Sequence, residues 1–379
     1  FNLGTTFQEL NQLKNAIKHY KKAIDIKPDY PEAHNNLGVA FKELKEFDLA
    51  IQAYQAALNI KPDYAEAHNN IGIVFKELGQ LDDAIKSHEA ALSFMPDYAE
   101  AHNNLGILFM EDGKLNNAIE RFERAISIDT SFIEAFNNLG SALMELNQFN
   151  LSLENFQKAL SINPNYAEAH NNLGILFMNL GQLDEASDSF NKAIKADSNY
   201  AFALNNLGIV YNRLNIFDES ENCFQRAIGI DADYFDAFCN YANLLKDLNK
   251  LDEALANYEL AYALKPNADY MLGNILHAKM HLCIWDNFSN DNTVKIIKSY
   301  NDKRIKLFES KVHTNLGAAR LEVIKKVKGE YIAFCDDDDL WMIMAMEGRQ
   351  YKGNIFDVWL GGAQCPFLPA GRSRRGWIR

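Results

Sequence analysis

Apolar residues in this chain recur with two nested periods. The shorter one is helical. In residues 31–64, Ala33, Leu37, Phe41 and Leu44 fall at i, i+4, i+8 and i+11, one face of a helix. Pro31 suits the first turn, where its missing N–H costs nothing. Ala50, Tyr54 and Ala57 mark a second helix in the same window. The longer period is 34 residues. It shows in glycine, as Gly4, Gly38, Gly72, Gly106, Gly140, Gly174 and Gly208, with Ala242 as the eighth member. It shows again two residues earlier in Asn2, Asn36, Asn70, Asn104, Asn138, Asn172, Asn206 and Asn240. A fixed period of this length is the signature of a stacked array.

Other columns say how each unit is built. The first helix should stop at Asn11, Lys45, Gly79, Gly113, Asn147, Gly181, Asn215 and Asn249. Gly and Asn tolerate the left-handed position that closes many helices, and only Lys45 departs from them. The second helix carries a small column, Ala23, Ala57, Ala91, Ala125, Ala159, Ala193, Ala227 and Ala261, which fits close helix–helix approach. An aromatic column (Tyr20, Tyr54, Phe122, Phe156, Phe190, Phe224, Tyr258) fills the groove between helices, with His88 as the exception. Pro28, Pro62, Pro96, Pro164 and Pro266 break the chain before the next unit.

Small, aromatic and small columns at this period, with Leu-Gly in the first helix and Pro at the boundary, resemble tetratricopeptide repeats (TPR). The resemblance covers residues 1–268, with the first unit truncated. It implies a mainly α fold, a right-handed superhelix of about eight helix pairs. It also implies a groove for proteins or extended peptides. Asn36, Asn70, Asn104, Asn138, Asn172, Asn206 and Asn240 each precede a core-facing position and so line up along the array. An amide offers two donors and two acceptor lone pairs. The row either grips the backbone of an extended peptide or hydrogen-bonds between neighbouring units. It is similar to the asparagine ladder of protein O-linked N-acetylglucosamine transferases. The parallel column from Asn35 to Asn205 reads as structural or solvent-facing. His34, His68, His102 and His170 are too regular for a metal site and read as consensus filler.

Charge separates the array from the C-terminal part of the chain. Residues 1–290 hold 22 basic and 40 acidic side chains; residues 291–379 hold 16 and 11. An acidic array argues against nonspecific nucleic-acid binding. The basic part suits an anionic ligand or is simply a solvated surface. The five cysteines share no metal-ligand spacing, which fits free thiols in a reducing cytoplasm. No run reaches the ~18 apolar residues of a membrane span, and no signal peptide is visible.

Residues 269–290 form an apolar, helical connector. It resembles the connector that follows the repeats in bacterial proteins of the O-linked N-acetylglucosamine transferase type. His277 and His281 share a helix face there, without an evident third ligand. Beyond it, helices are expected at 293–300 and 316–327, and strands at 305–308 and 331–335, an α/β layer. Four carboxylates, Asp336, Asp337, Asp338 and Asp339, end the last strand. They suit Mg²⁺ or Mn²⁺, or form a solvated acidic turn. Asp286-x-x-Ser289-x-Asp291-x-Thr293, Asn315-x-Gly317-x-x-x-Arg320 and Gly329-Glu330-Tyr331-Ile332-Ala333-Phe334-x-Asp336-x-Asp338-Asp339 look like the nucleotide-binding half of family-2 glycosyltransferases of the GT-A fold. The resemblance implies that Asp336 and Asp338 hold a divalent metal and a sugar-nucleotide diphosphate, with Asp337 and Asp339 supporting. It implies that Ser289, Asp291, Gly317 and Arg320 contact the nucleotide sugar.

The match is partial. The family's first strand, the Asn after Arg320 (here Leu321) and the acceptor-binding half are missing, so no catalytic base is assigned. A GT-A-like module is therefore expected at 291–342, with an unassigned basic tail at 343–379. The functional expectation is a TPR interaction scaffold fused to an incomplete nucleotide-sugar-dependent glycosyltransferase. The alternative is a non-catalytic scaffold with a vestigial or chimeric C-terminus.

Overall fold

The structure, a computed structural model, describes residues 1–268, 271–281, 305–310, 331–337 and 340–346. The chain divides into two compact units, Phe1–Ile230 and Asp231–Arg379. The first unit is helical throughout. Its helices are α1 (Asn2–Glu9), α2 (Leu13–Ile26), α3 (Pro31–Glu43), α4 (Phe47–Ile60), α5 (Ala65–Glu77), α6 (Leu81–Phe94) and α7 (Ala99–Glu111). It continues through α8 (Leu115–Ile128), α9 (Ile133–Glu145), α10 (Phe149–Ile162), α11 (Ala167–Asn179), α12 (Leu183–Ala196), α13 (Ala201–Arg213) and α14 (Phe217–Ile230). Odd-numbered helices are the A helix of each repeat and even-numbered ones the B helix. The second unit holds one more pair, α15 (Phe235–Asp247) and α16 (Leu251–Leu264), then α17 (Met271–His281) within the expected connector.

Every A helix ends as its sequence requires. Asn11, Lys45, Gly79, Gly113, Asn147, Gly181, Asn215 and Asn249 all have φ between 56° and 74°. At each, two backbone bonds close the turn. In the second repeat, Lys45 N–H donates to the Lys42 carbonyl at 2.8 Å and Glu46 N–H to the Phe41 carbonyl at 2.9 Å. This is the Schellman arrangement, which satisfies carbonyls the helix leaves open. Lys45 adopts the left-handed conformation despite its side chain.

The glycine column exists because a ring lies on it. A Cβ added to Gly140 would sit 2.6 Å from Cε1 of Phe156, and one on Gly38 equally close to Tyr54. The aromatic residue sixteen positions later, on the B helix, thus packs on the bare A-helix backbone. These rings and the alanines around them are fully buried. The core runs on from unit to unit: Tyr20, Leu37, Phe41, Tyr54 and Ile71, from three successive repeats, form one cluster. Two B helices reinforce the contact with serine, Ser152 and Ser220 donating to the Gly140 and Gly208 carbonyls at 2.7 Å.

In the C-terminal part three strands form one sheet, β1 (Ile305–Ser310), β2 (Tyr331–Asp337) and β3 (Leu340–Met346), in the order β1-β3-β2. Both pairings are antiparallel, with β2 and β3 as consecutive strands in register Asp336↔Trp341 and Asp337↔Leu340. The expected strands at 305–308 and 331–335 are present and longer. The strand β3 was not expected, and it lies between the other two. The expected helices at 293–300 and 316–327 lie outside the described residues. Among the described residues no helix is long and apolar enough to cross a membrane.

Candidate functional site

The A-helix face of the first unit carries two asparagine columns with different fates. The column read as structural or solvent-facing is buried: Asn35, Asn69, Asn103, Asn137, Asn171 and Asn205. The neighbouring column, from Asn36 to Asn206, is half-buried. The two are joined across each repeat boundary. Nδ2 of Asn70 donates to Oδ1 of Asn35 at 3.0 Å, and Asn104 to Asn69 at 3.2 Å. Asn138, Asn172 and Asn206 donate to Asn103, Asn137 and Asn171, each at 3.0 Å. The inter-unit bonding that the sequence left open is therefore present. It commits one amide N–H of each half-buried asparagine from Asn70 to Asn206. It also fixes the orientation of an amide that keeps further hydrogen-bonding capacity.

Beside the ladder runs a stripe of aromatic and acidic side chains. The A helices from α3 to α13 each follow an aromatic residue (Tyr30, Tyr64, Tyr98, Phe132, Tyr166, Tyr200) and carry Glu32, Glu66, Glu100, Glu134, Glu168 or Phe202 in the first turn. The glutamates are exposed. A carboxylate in the first helical turn also complements the helix dipole. Tyr166 donates to Glu168 Oε2 at 2.6 Å, and Asn69 Nδ2 donates to Glu100 Oε1 at 3.1 Å. The tyrosines sense the acids of two successive repeats. Burial, then Glu66 and Glu32, push the Tyr64 hydroxyl up to about 12. Burial and then Glu168 and Asp197 do the same to Tyr200, again to about 12. Tyr98 and Tyr166 are raised for the same reasons.

One repeat differs. His88 takes the aromatic position over Gly72 and is 1% exposed. Its Nδ1–H donates to Oδ1 of Asn69 at 2.9 Å. Asn69 Oδ1 thus receives His88 and Asn104, while its Nδ2 faces Glu100 and Tyr98. A buried polar ring is tolerated because its proton has an acceptor. Burial, with a smaller push from Lys76, lowers the His88 pKa to about 4.

The periodic histidines are not filler. His34, His68, His102 and His170 each donate Nε2–H to the carbonyl of Pro28, Pro62, Pro96 or Pro164, at 2.9–3.1 Å. The sequence held the signal. Where the histidine is Phe136, Leu204 or Phe238, the residue six earlier is Thr130, Ser198 or Ala232. Only Pro266, followed six on by Leu272, breaks the pairing.

Among the sequence-derived nucleotide-sugar positions, Asp336 and Asp337 are the last two residues of β2. Asp338, Asp339, Ser289, Asp291, Gly317 and Arg320 lie outside the described residues. Among the described residues no cluster of metal-ligating side chains is present.

Comparison with known proteins supports both parts of the chain. A TPR repeat family matches residues 4–45, 40–79 and 140–181, and tetratricopeptide-repeat families match 63–131, 167–200, 203–234 and 235–268. Glycosyl transferase family 2 matches residues 266–348, wider at both ends than the expected module and including the connector. A stretch of 82 residues, 21% of this chain, is 34% identical to the UDP-Glc:alpha-D-GlcNAc-diphosphoundecaprenol beta-1,3-glucosyltransferase WfgD of Escherichia coli. That stretch spans 32% of the relative, so the chain covers about a third of its length. The fold is similar to the crystal structure of the APC/C hetero-tetramer Cut9-Hcn1, with TM-score 0.58 and 16% identity over 73% of this chain and 54% of that one. YrrB, described as a TPR protein with an unusual peptide-binding site, is 26% identical over 49% of this chain and 96% of its own, with TM-score 0.38.

Proposed function

We propose that this chain, which belongs to the tetratricopeptide-repeat proteins and carries a partial glycosyl transferase family 2 segment, is a scaffold that delivers protein partners to nucleotide-sugar chemistry. The array winds as a right-handed superhelix and receives an extended peptide along its A-helix face. The observation that carries this reading is the asparagine ladder. From Asn70 to Asn206 its amides are held in line by the preceding repeat, so they meet a peptide backbone without first being ordered. Asn36, Asn70, Asn104, Asn138, Asn172, Asn206 and Asn240 are the proposed contacts.

The C-terminal segment contributes the donor half of a GT-A-like module. Asp336 and Asp338 are oxygen donors of the type that Mn²⁺ or Mg²⁺ takes, with Asp337 and Asp339 in support. Such an ion, when bound, neutralises charge on a sugar-nucleotide diphosphate. Ser289, Asp291, Gly317 and Arg320 would contact the nucleotide sugar. Two experiments test the two halves. Selection from a random peptide library should yield binders of the full chain that Asn104→Ala/Asn138→Ala/Asn172→Ala weakens, with helicity retained by circular dichroism. Unchanged affinity removes the ladder from the site. Calorimetric titration of UDP-glucose with Mn²⁺ should show binding that Asp336→Ala/Asp338→Ala abolishes. No metal-dependent binding leaves a scaffold alone.

A further inference from the structure

We infer that the partner of the A-helix face is an extended peptide bearing a lysine or arginine at every third position. This rests on the peptide-binding reading above and specifies its chemistry. Glu32, Glu66, Glu100, Glu134 and Glu168 stand in one line, exposed, one per repeat. Among the described residues none of the five forms an ion pair. Two are pinned for an incoming ligand: Glu100 by Asn69 at 3.1 Å and Glu168 by Tyr166 at 2.6 Å.

The array itself shows how a cation sits on this stripe. Lys27 Nζ lies 4.7 Å from the centre of the Tyr30 ring, and Lys61 Nζ 4.7 Å from that of Tyr64. A lysine three residues before the tyrosine thus places its charge on the ring, and a glutamate follows two residues after that ring. The equivalent positions before Tyr98, Phe132, Tyr166 and Tyr200 are Met95, Asp129, Asn163 and Asp197, none of them basic. From Tyr98 to Tyr166 the rings and carboxylates keep the arrangement and lack the internal cation. A partner supplies it. In the next repeat Phe202, 54% exposed beside Tyr200, takes the glutamate's place and puts an apolar side chain there.

The spacing follows from the packing. A helices of successive repeats touch, and packed helices lie about 8–10 Å apart. A polyproline-II peptide rises about 3.1 Å per residue with three residues per turn, so every third side chain recurs on one face about 9 Å along. One cation per turn therefore meets one glutamate per repeat, and the backbone between lies over the asparagines.

Fluorescence anisotropy with the full chain at low ionic strength tests this. The probes are a labelled (Lys-Pro-Ala)₅ peptide, a peptide of the same composition with its lysines clustered at one end, and (Glu-Pro-Ala)₅. The spaced lysine peptide should bind at least fivefold more tightly than the clustered one, and the acidic peptide should not bind. Glu100→Gln/Glu134→Gln/Glu168→Gln, changes confined to exposed side chains, should weaken the spaced peptide at least tenfold. Equal affinity for both lysine peptides, an unaffected triple variant, or no binding of the spaced peptide overturns the inference. The parent reading is judged separately, by whether library-selected peptides of any charge remain sensitive to the asparagine changes.

Discussion

Replacing His88 by phenylalanine should remove an acid sensitivity built into the third repeat. The histidine is neutral when folded because its ring is buried and its pKa is lowered to about 4 from 6.5. Above about pH 6.5 it is neutral in both folded and unfolded chains and contributes no pH dependence. As pH falls below that, the unfolded chain takes up a proton that the folded chain refuses until about pH 4. Stability is therefore lost across that window. A tenfold change in the acidity constant is worth about 1.4 kcal/mol, so the full loss is about 3 kcal/mol, with about 2–3 kcal/mol of it gone by pH 4.5. Phenylalanine restores the ring found at Phe122 and Phe156, and Asn69 Oδ1 keeps Asn104 as a donor. Repeat arrays unfold piecewise, so the measurement is native-state hydrogen exchange of α5 and α6 amides at pH 7 and pH 4.5. The advantage of His88→Phe over the parent should grow by about 2–3 kcal/mol between these pH values. A difference that does not change with pH would refute the argument.

Three further substitutions probe the packing. Lys45 sits at φ 59°, where a side chain costs about 1 kcal/mol; Lys45→Gly should raise stability by about 0.5–1 kcal/mol in denaturant titration. Gly140→Ala forces a Cβ toward the Phe156 ring and should cost about 1–3 kcal/mol; a neutral result would mean that the ring yields freely. His170→Leu should cost about 1 kcal/mol by leaving the Pro164 carbonyl without its donor. Adding Pro164→Ser, which copies Ser198 and Leu204, should recover part of that cost, and strict additivity would show the pair to be uncoupled.

The helical fold was legible because its constraints are local and repeated. The column from Asn11 to Asn249 states a backbone conformation, and all eight positions adopt it. The roles of Asn35 and Asn36 were not legible. Both recur with the same period, and only the approach of the next A helix makes Asn35 the buried acceptor and Asn70 the donor. The His–Pro pairing was present in the sequence, but only as a correlation between units. The strand β3 was hidden for another reason. Leu340-Trp341-Met342-Ile343-Met344-Ala345-Met346 is a continuous apolar run, and such runs give no period that separates strand from helix.

If the A-helix face is where this protein meets its partner, a bound peptide must shield that face. Hydrogen–deuterium exchange mass spectrometry of the full chain, with and without (Lys-Pro-Ala)₅, reads this out helix by helix. Slowed exchange should concentrate in α7, α9 and α11 (Ala99–Glu111, Ile133–Glu145, Ala167–Asn179). Protection confined to the B helices α8, α10 and α12, or to residues 266–348, would show that the peptide is received elsewhere.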